Sequence, residues 1–176
     1  MGPSDADLSS RLAGIRLLCL DVDGVLTDGH LYWSEGGVFW QKFNVRDGYG
    51  IKLLQALGIE VAILSGGDVR SARDRAAGLD IRHAYFGLTD KLATFHEVAR
   101  DVGVTLAESA FVGDELVDVP LLERVAFAAT VPDAVEEVRR VAHYVTTRPG
   151  GDGAVREVCD LIRRARAGVA TIAAGK

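Results

Sequence analysis

Apolar residues arrive along this chain in short continuous runs, separated by stretches in which they recur at helical spacing. The first run covers 15–22 (IRLLCLDV) and ends in acids; the second covers 60–64 (EVAIL) and leads into Ser65-Gly66-Gly67-Asp68. Shorter runs at 83–86, 109–112, 126–129 and 143–146 read as further strands. Between the runs, 49–57, 69–77, 91–102 and 117–125 carry helical periodicity, Asp90 and Asp133 stand where N-caps are expected, and 154–167 predicts a last helix. Runs that are apolar throughout, rather than at alternate positions, predict strands covered on both faces. Their alternation with helices predicts an α/β fold, a parallel sheet between helical layers. Ligands of such sheets bind beyond the carboxyl ends of the strands.

One segment breaks the alternation. Residues 29–43 (GHLYWSEGGVFWQKF) place aromatic and β-branched residues on either side of Ser34-Glu35-Gly36-Gly37, the pattern of a β-hairpin. A lone two-stranded hairpin is marginal in water. Tyr32, Trp33, Phe39 and Trp40 therefore predict packing against the domain body or another subunit. Residues 1–11 are polar and are expected to fray. With no repeat, low-complexity tract or linker, 1–176 reads as a single domain.

Composition narrows the partners. Of 176 residues, 48% are hydrophobic and 26% charged, as in an ordinary globular domain, and the net charge is -5. That balance argues against nucleic acid or an anionic membrane surface, both of which reward clustered Lys and Arg. The basic group Arg163, Arg164 and Arg166 reads as a solvated helix face. Cys19 and Cys159 lie too far apart to suggest a disulfide framework or a zinc site, and Cys19, inside an apolar run, reads as a buried free thiol. No run approaches a membrane span, so a cytoplasmic setting is the expectation.

The chemistry gathers at strand exits. Asp21 and Asp23 follow the first run, Ser65 the second, Lys91 opens a helix, and Asp114 and Asp118 follow Phe111-Val112-Gly113. Two acids two residues apart project to the same side of an extended chain, and at the end of a buried strand they need a cation or proton to offset them. In a parallel sheet all these groups converge on one rim, an all-oxygen site suited to Mg2+. Four ionised acids against Mg2+ and one lysine leave a single negative charge, which one proton removes. A carboxylate nucleophile with a neighbouring general acid has this requirement. Ser65, Gly66 and Gly67 add a hydroxyl and approachable backbone N–H groups for phosphate oxygens.

In this order, the segments 21–29 (DVDGVLTDG), Ser65-Gly66, Lys91 and 113–118 (GDELVD) resemble the haloacid dehalogenase superfamily of phosphatases. The segments 43–51 (FNVRDGYGI) and 150–159 (GGDGAVREVC) are similar to its capless branch, which holds 3-deoxy-D-manno-octulosonate 8-phosphate and nonulosonate 9-phosphate phosphatases. The resemblance implies a Rossmann-like three-layer core, and here 29–43 leaves room for a hairpin but for no cap domain. It implies Asp21 as nucleophile forming an aspartyl-phosphate, and Asp23 as general acid and then base. Ser65, Gly66 and Lys91 would bind the phosphoryl group. Mg2+ would be held by Asp21, the Asp23 carbonyl and Asp114, while Asp118 orients a water held by the ion. It also implies a homotetramer in which hairpins of neighbouring subunits shield each other's sites.

Gly67 stands where these relatives usually carry Arg, which leaves the choice among sugar acid phosphates and other sugar phosphates open. Arg46, Asp47 and Arg70 are the candidates to meet the substrate, with Arg73 a further cation within reach. The segment 150–153 reads either as a turn before the last helix or, by the resemblance, as a backbone loop reaching a neighbouring site. Two other classes compete. A receiver-like signalling module shares the acids, hydroxyl and lysine but places its acceptor on a middle strand; a non-catalytic assembly subunit would not need the complete catalytic set. Light scattering of the purified protein is expected to give a tetramer; an active monomer would remove the shared-site idea.

Overall fold

The structure is a computed structural model that describes the backbone of residues 5–37 and 39–174 and the side chains of 8–37 and 39–168. Six parallel strands form one sheet: β1 (Leu17–Leu20), β4 (Glu60–Leu64), β5 (His83–Tyr85), β6 (Ser109–Val112), β7 (Phe127–Thr130) and β8 (Tyr144–Val145). Their order across the sheet is β5-β4-β1-β6-β7-β8. From β1 the chain steps to one side through β4 and β5, then crosses to the other side at β6. That reversal beside β1 is where α/β sheets open a crevice for ligands.

The predicted runs fall on these strands, and their uniform apolarity has a direct cause. Leu18 and Leu20 of β1, Val61 and Ile63 of β4 and Ala110 and Val112 of β6 belong to one core. Leu17, Cys19, Ala62, Leu64 and Phe111 belong to the other. Successive side chains point to opposite faces, so a strand with a core on each face must be apolar throughout. The first core is closed by α1 (Asp5–Ala13), α2 (Val45–Ala56), α3 (Arg70–Gly78) and α7 (Ala154–Ala174). The second is closed by α4 (Lys91–Val102), α5 (Val119–Leu122) and α6 (Glu136–Val141). Both cysteines are buried free thiols.

Several elements differ from the sequence expectation. The polar opening, expected to fray through residue 11, is helical from Asp5, because Leu8 and Leu12 pack on the first core; residues 1–4 lie outside the described residues. The single helix expected over 117–125 is a 3-10 turn, Leu116–Asp118, followed by the short α5. Pro120 has no N–H with which to continue a helix from the preceding turn. Asp90 caps α4 by accepting the Ala93 N–H, whereas Asp133 does not cap α6, which begins after Val135 without a side-chain bond.

The hairpin is present as β2 (Tyr32–Trp33) paired antiparallel with β3 (Phe39–Trp40). Tyr32 stacks on Trp40 with centroids 4.3 Å apart, and Trp33 meets Phe39 at 5.2 Å. Trp33 and Trp40 nonetheless stay 68% and 51% exposed, so the aromatics pack on one another and not into the domain. Among the described residues this hairpin is the only insertion between β1 and α2, and no cap domain is present. The fold predicts that Phe127→Ala, which empties a fully buried ring position away from the strand exits, lowers stability by about 3–5 kcal/mol. Urea denaturation measures this; a loss below about 1 kcal/mol would contradict the packing described.

Candidate active site

Register sets the site. β1 pairs Leu20 with Ile63 on one side and with Val112 on the other. One residue further, Asp21, Leu64 and Gly113 stand level, and the Asp21 N–H donates to the Val112 carbonyl at 3.0 Å. Asp21 and, one residue further on, Ser65 and Asp114 therefore leave three adjacent strands on the same rim. Lys91, at the start of α4, reaches them from the second core. An open cavity of 280 Å3 lies above, lined by Asp21, Asp23, Gly66, Gly67, Lys91 and Asp114 among others.

At the bottom of the cavity Lys91 Nζ lies 2.8 Å from Asp21 Oδ2 and 2.6 Å from Asp118 Oδ1. All three groups are buried. Burial alone would pull the ammonium below its ordinary range, but Asp21 and Asp118 outweigh it and the net shift is upward. Burial pushes the Asp21 carboxyl up to about 6, against the pull of Lys91 and of the Val22 N–H that donates to its Oδ1. Asp118 Oδ2 accepts the backbone N–H groups of Asp114 and Glu115 at 2.9 and 3.2 Å. Asp118 thus closes the loop that aims Asp114 at the cavity.

Two buried oxygens have no hydrogen-bond partner here, Asp114 Oδ1 and Ser65 Oγ. Burial, reinforced by Asp21 and Asp118, pushes the Asp114 carboxyl up to about 8. The carboxylates of Asp21, Asp114 and Asp118 offer oxygens within 4.8 Å of one another. An all-carboxylate group with an unsatisfied oxygen and a proton it holds too tightly is the donor set of a hard divalent cation. Ser65 Oγ, at the exit of β4, is a buried hydroxyl without a partner. Gly24 fits closely under this group, because a Cβ there would stand 2.0 Å from Asp114 Oδ2.

Asp23 sits at the cavity rim, raised by burial, with Lys91 and a hydrogen bond from Gln41 pulling the other way. Gln41 was not foreseen in the sequence, nor were Ser71, which donates to it, or Thr27, whose Oγ1 accepts the Gly24 and Gly29 N–H groups. The expected substrate residues are not brought to the cavity. Asp47 is buried with Oδ1 accepting the Arg156 N–H, so it anchors the start of α7. Arg46 lines a separate cavity with Arg148, Arg156 and Arg164, and Arg70 is exposed on α3, paired with Asp74. The 150–153 segment turns back on its own chain: Gly151 N–H donates to the Val25 carbonyl, and a Cβ on Gly150 would stand 1.8 Å from the Gly24 carbonyl oxygen.

A parallel sheet with acids, hydroxyl and lysine at adjacent strand exits agrees with the haloacid dehalogenase-like hydrolases, and the sequence profile of that family matches residues 87–158. The chain is 45% identical to the 3-deoxy-D-manno-octulosonate 8-phosphate phosphatase of Yersinia pestis over 161 residues, 92% of this chain and 86% of that protein. The crystal structure of the Yersinia pestis phosphatase matches with a TM-score of 0.89 over 92% of this chain and 87% of that one. The Moraxella catarrhalis phosphatase, solved with a magnesium ion, a phosphate ion and a KDO molecule, matches at 35% identity and TM-score 0.90, covering 98% and 99%. A cobalt-bound Haemophilus influenzae phosphatase matches at 38% identity and TM-score 0.85, covering 89% and 92%. The chain belongs to this phosphatase family of the haloacid dehalogenase superfamily.

The raised acids set the pH dependence of the metal-free protein. Asp114 (about 8) and Asp47 (about 6) bind a proton more tightly folded than unfolded. The stability they contribute is full below about pH 4 and is lost as pH rises through about 6 and about 8. In EDTA the melting temperature is therefore expected to be lower at about pH 8.5 than at about pH 5. A divalent cation should restore more of it at the higher pH; equal restoration at both would count against the cluster.

Proposed function

We propose that this chain is a Mg2+-dependent phosphomonoester hydrolase that works through an aspartyl-phosphate on Asp21, with a phosphorylated 3-deoxy-2-ulosonic acid as substrate. The observation that carries the reading is the convergence of Asp21, Asp23, Lys91 and Asp114 on one cavity, with the buried oxygens of Asp114 and of Ser65, next to the lining Gly66, left unsatisfied. Asp21, Asp114 and the backbone carbonyl of Asp23 would hold Mg2+. Bound there, Mg2+ supplies charge neutralisation for the transferring phosphoryl group.

The protein's own groups perform the rest. Lys91 holds Asp21 ionised and offers positive charge to the phosphate. Ser65 Oγ and the N–H groups of Gly66 and Gly67 receive its oxygens. Asp21 attacks phosphorus, the ester P–O bond breaks, and Asp23 gives its proton to the departing oxygen. Asp23 then takes a proton from water as that water attacks phosphorus; the bond to Asp21 breaks and inorganic phosphate leaves. Asp118 keeps Lys91 and the Asp114 loop in place.

The substrate class is supported by the relatives above, whose names specify an octulosonate phosphate. Gly67 keeps other sugar phosphates as the alternative. The exposed Trp33 and Trp40 on the hairpin support a homotetramer, and two unpaired buried thiols support a reducing, cytoplasmic setting. None of the helices among the described residues is long and apolar enough to cross a membrane.

Asp21→Asn is expected to lower hydrolysis of p-nitrophenyl phosphate by at least about a thousandfold, as loss of a nucleophile does. Full activity in this variant, or no activity of the wild type with Mg2+ on any phosphate ester, would sink the reading. In a screen of 2-keto-3-deoxy sugar acid phosphates against hexose and pentose phosphates, the sugar acids should be preferred at least about tenfold in kcat/KM.

A further inference from the structure

The two oxygens of Asp23 meet different neighbours. Oδ1 accepts a 2.6 Å hydrogen bond from Gln41 Nε2. Gln41 follows β3 directly, so the hairpin carries its amide back to the turn that bears Asp23. Only one orientation of that amide suits both partners. The carboxylate only accepts, so it takes Nε2, and Ser71 Oγ, in the first turn of α3, donates to the remaining Gln41 Oε1 at 2.6 Å. Oδ2 lies on the opposite side, against Gly67, where a Cβ would stand 2.7 Å away. Any side chain at position 67 would displace this carboxylate conformer, so the glycine and the Ser71–Gln41–Asp23 chain fit together.

We propose that Gln41 is a positioning residue for Asp23: with Ser71 fixing the amide and Gly67 leaving the room, it holds Oδ2 as the oxygen that faces the leaving group. The proposal rests on the reading of Asp23 as general acid and base. When the ester P–O bond breaks, its electron pair stays on the ester oxygen, which takes the proton from Oδ2. In the second half the same oxygen receives a proton from the water whose oxygen bonds to phosphorus. Gln41 gains and loses no proton and touches no reacting atom, so it acts only by fixing where Oδ2 points. Orientation of this kind matters most where the leaving oxygen is basic, because a good leaving group departs with little protonation.

The test compares kcat/KM, which reports events up to departure of the leaving group, for phenyl phosphate and p-nitrophenyl phosphate. Gln41→Leu should lose about tenfold on the phenyl ester and no more than about twofold on the nitrophenyl ester. Gln41→Glu, near-isosteric but unable to donate to a carboxylate, should do the same. Ser71→Ala, which leaves the hairpin unaltered, should show the same bias at smaller size. In an Asp23→Asn background Gln41→Leu should change nothing further. Equal losses on both esters, or an undiminished effect in the Asp23→Asn background, would overturn the proposal and make Gln41 a residue of hairpin stability. A wild type that hydrolyses neither ester would overturn the phosphatase reading and this proposal with it, a result distinct from an active wild type with unbiased variants.

Discussion

A buried ammonium between two buried carboxylates holds the centre of this molecule together. Lys91 reaches from the start of α4 to Asp21 at the end of β1 and to Asp118 beyond β6, tying one helix and two strand exits through a single charge. Desolvating three charges is unfavourable unless each is matched, and breaking one contact would strand the others. The remaining geometry follows. Because Asp118 is turned inward to Lys91, its second oxygen is left for the N–H groups of Asp114 and Glu115, and the loop they belong to points Asp114 across to Gly24. Acidity at the rim is sustained by this one cation until a metal joins it.

The strands were legible because two cores leave a strand no polar face, so 60–64 and 109–112 coincide with β4 and β6 as predicted. Asp21, Ser65, Lys91 and Asp114 were legible for a related reason: a parallel sheet delivers strand exits to one rim, whatever lies between them in sequence. Gln41 and Ser71 were not, since their contact depends on how the chain leaving the hairpin returns beside α3, which no local spacing encodes. Asp47, expected at the substrate, is buried away from the cavity. A carboxylate next to an arginine in a polar segment looks available, yet the start of α7 has unpaired N–H groups and takes it. Arg70 is exposed on α3 and binds its neighbour one turn on.

Glycines surround the carboxylates. At positions 24, 67 and 113 an added Cβ would strike Asp114, Asp23 and Asp118 respectively, each closer than 3 Å. Backbone brought this near lets N–H groups approach an oxyanion without intervening side chains, and it also removes the side chains that could grip the rest of a substrate. A rim built this way, on the phosphatase mechanism proposed above, would offer backbone to a phosphate and few side chains to what the phosphate is attached to.

The packing of Gly150 and Gly151 on the chain at 24–28 reaches beyond the finished structure. The turn bearing Asp21 and Asp23 is made early, but the backbone that supports it belongs to the last quarter of the polypeptide. The acids of that turn therefore rest on backbone that lies, in sequence, beyond every strand of the sheet. Loss of residues 150–176 would therefore open the first core, which α7 closes, and would also take the backing from the turn that bears Asp21 and Asp23.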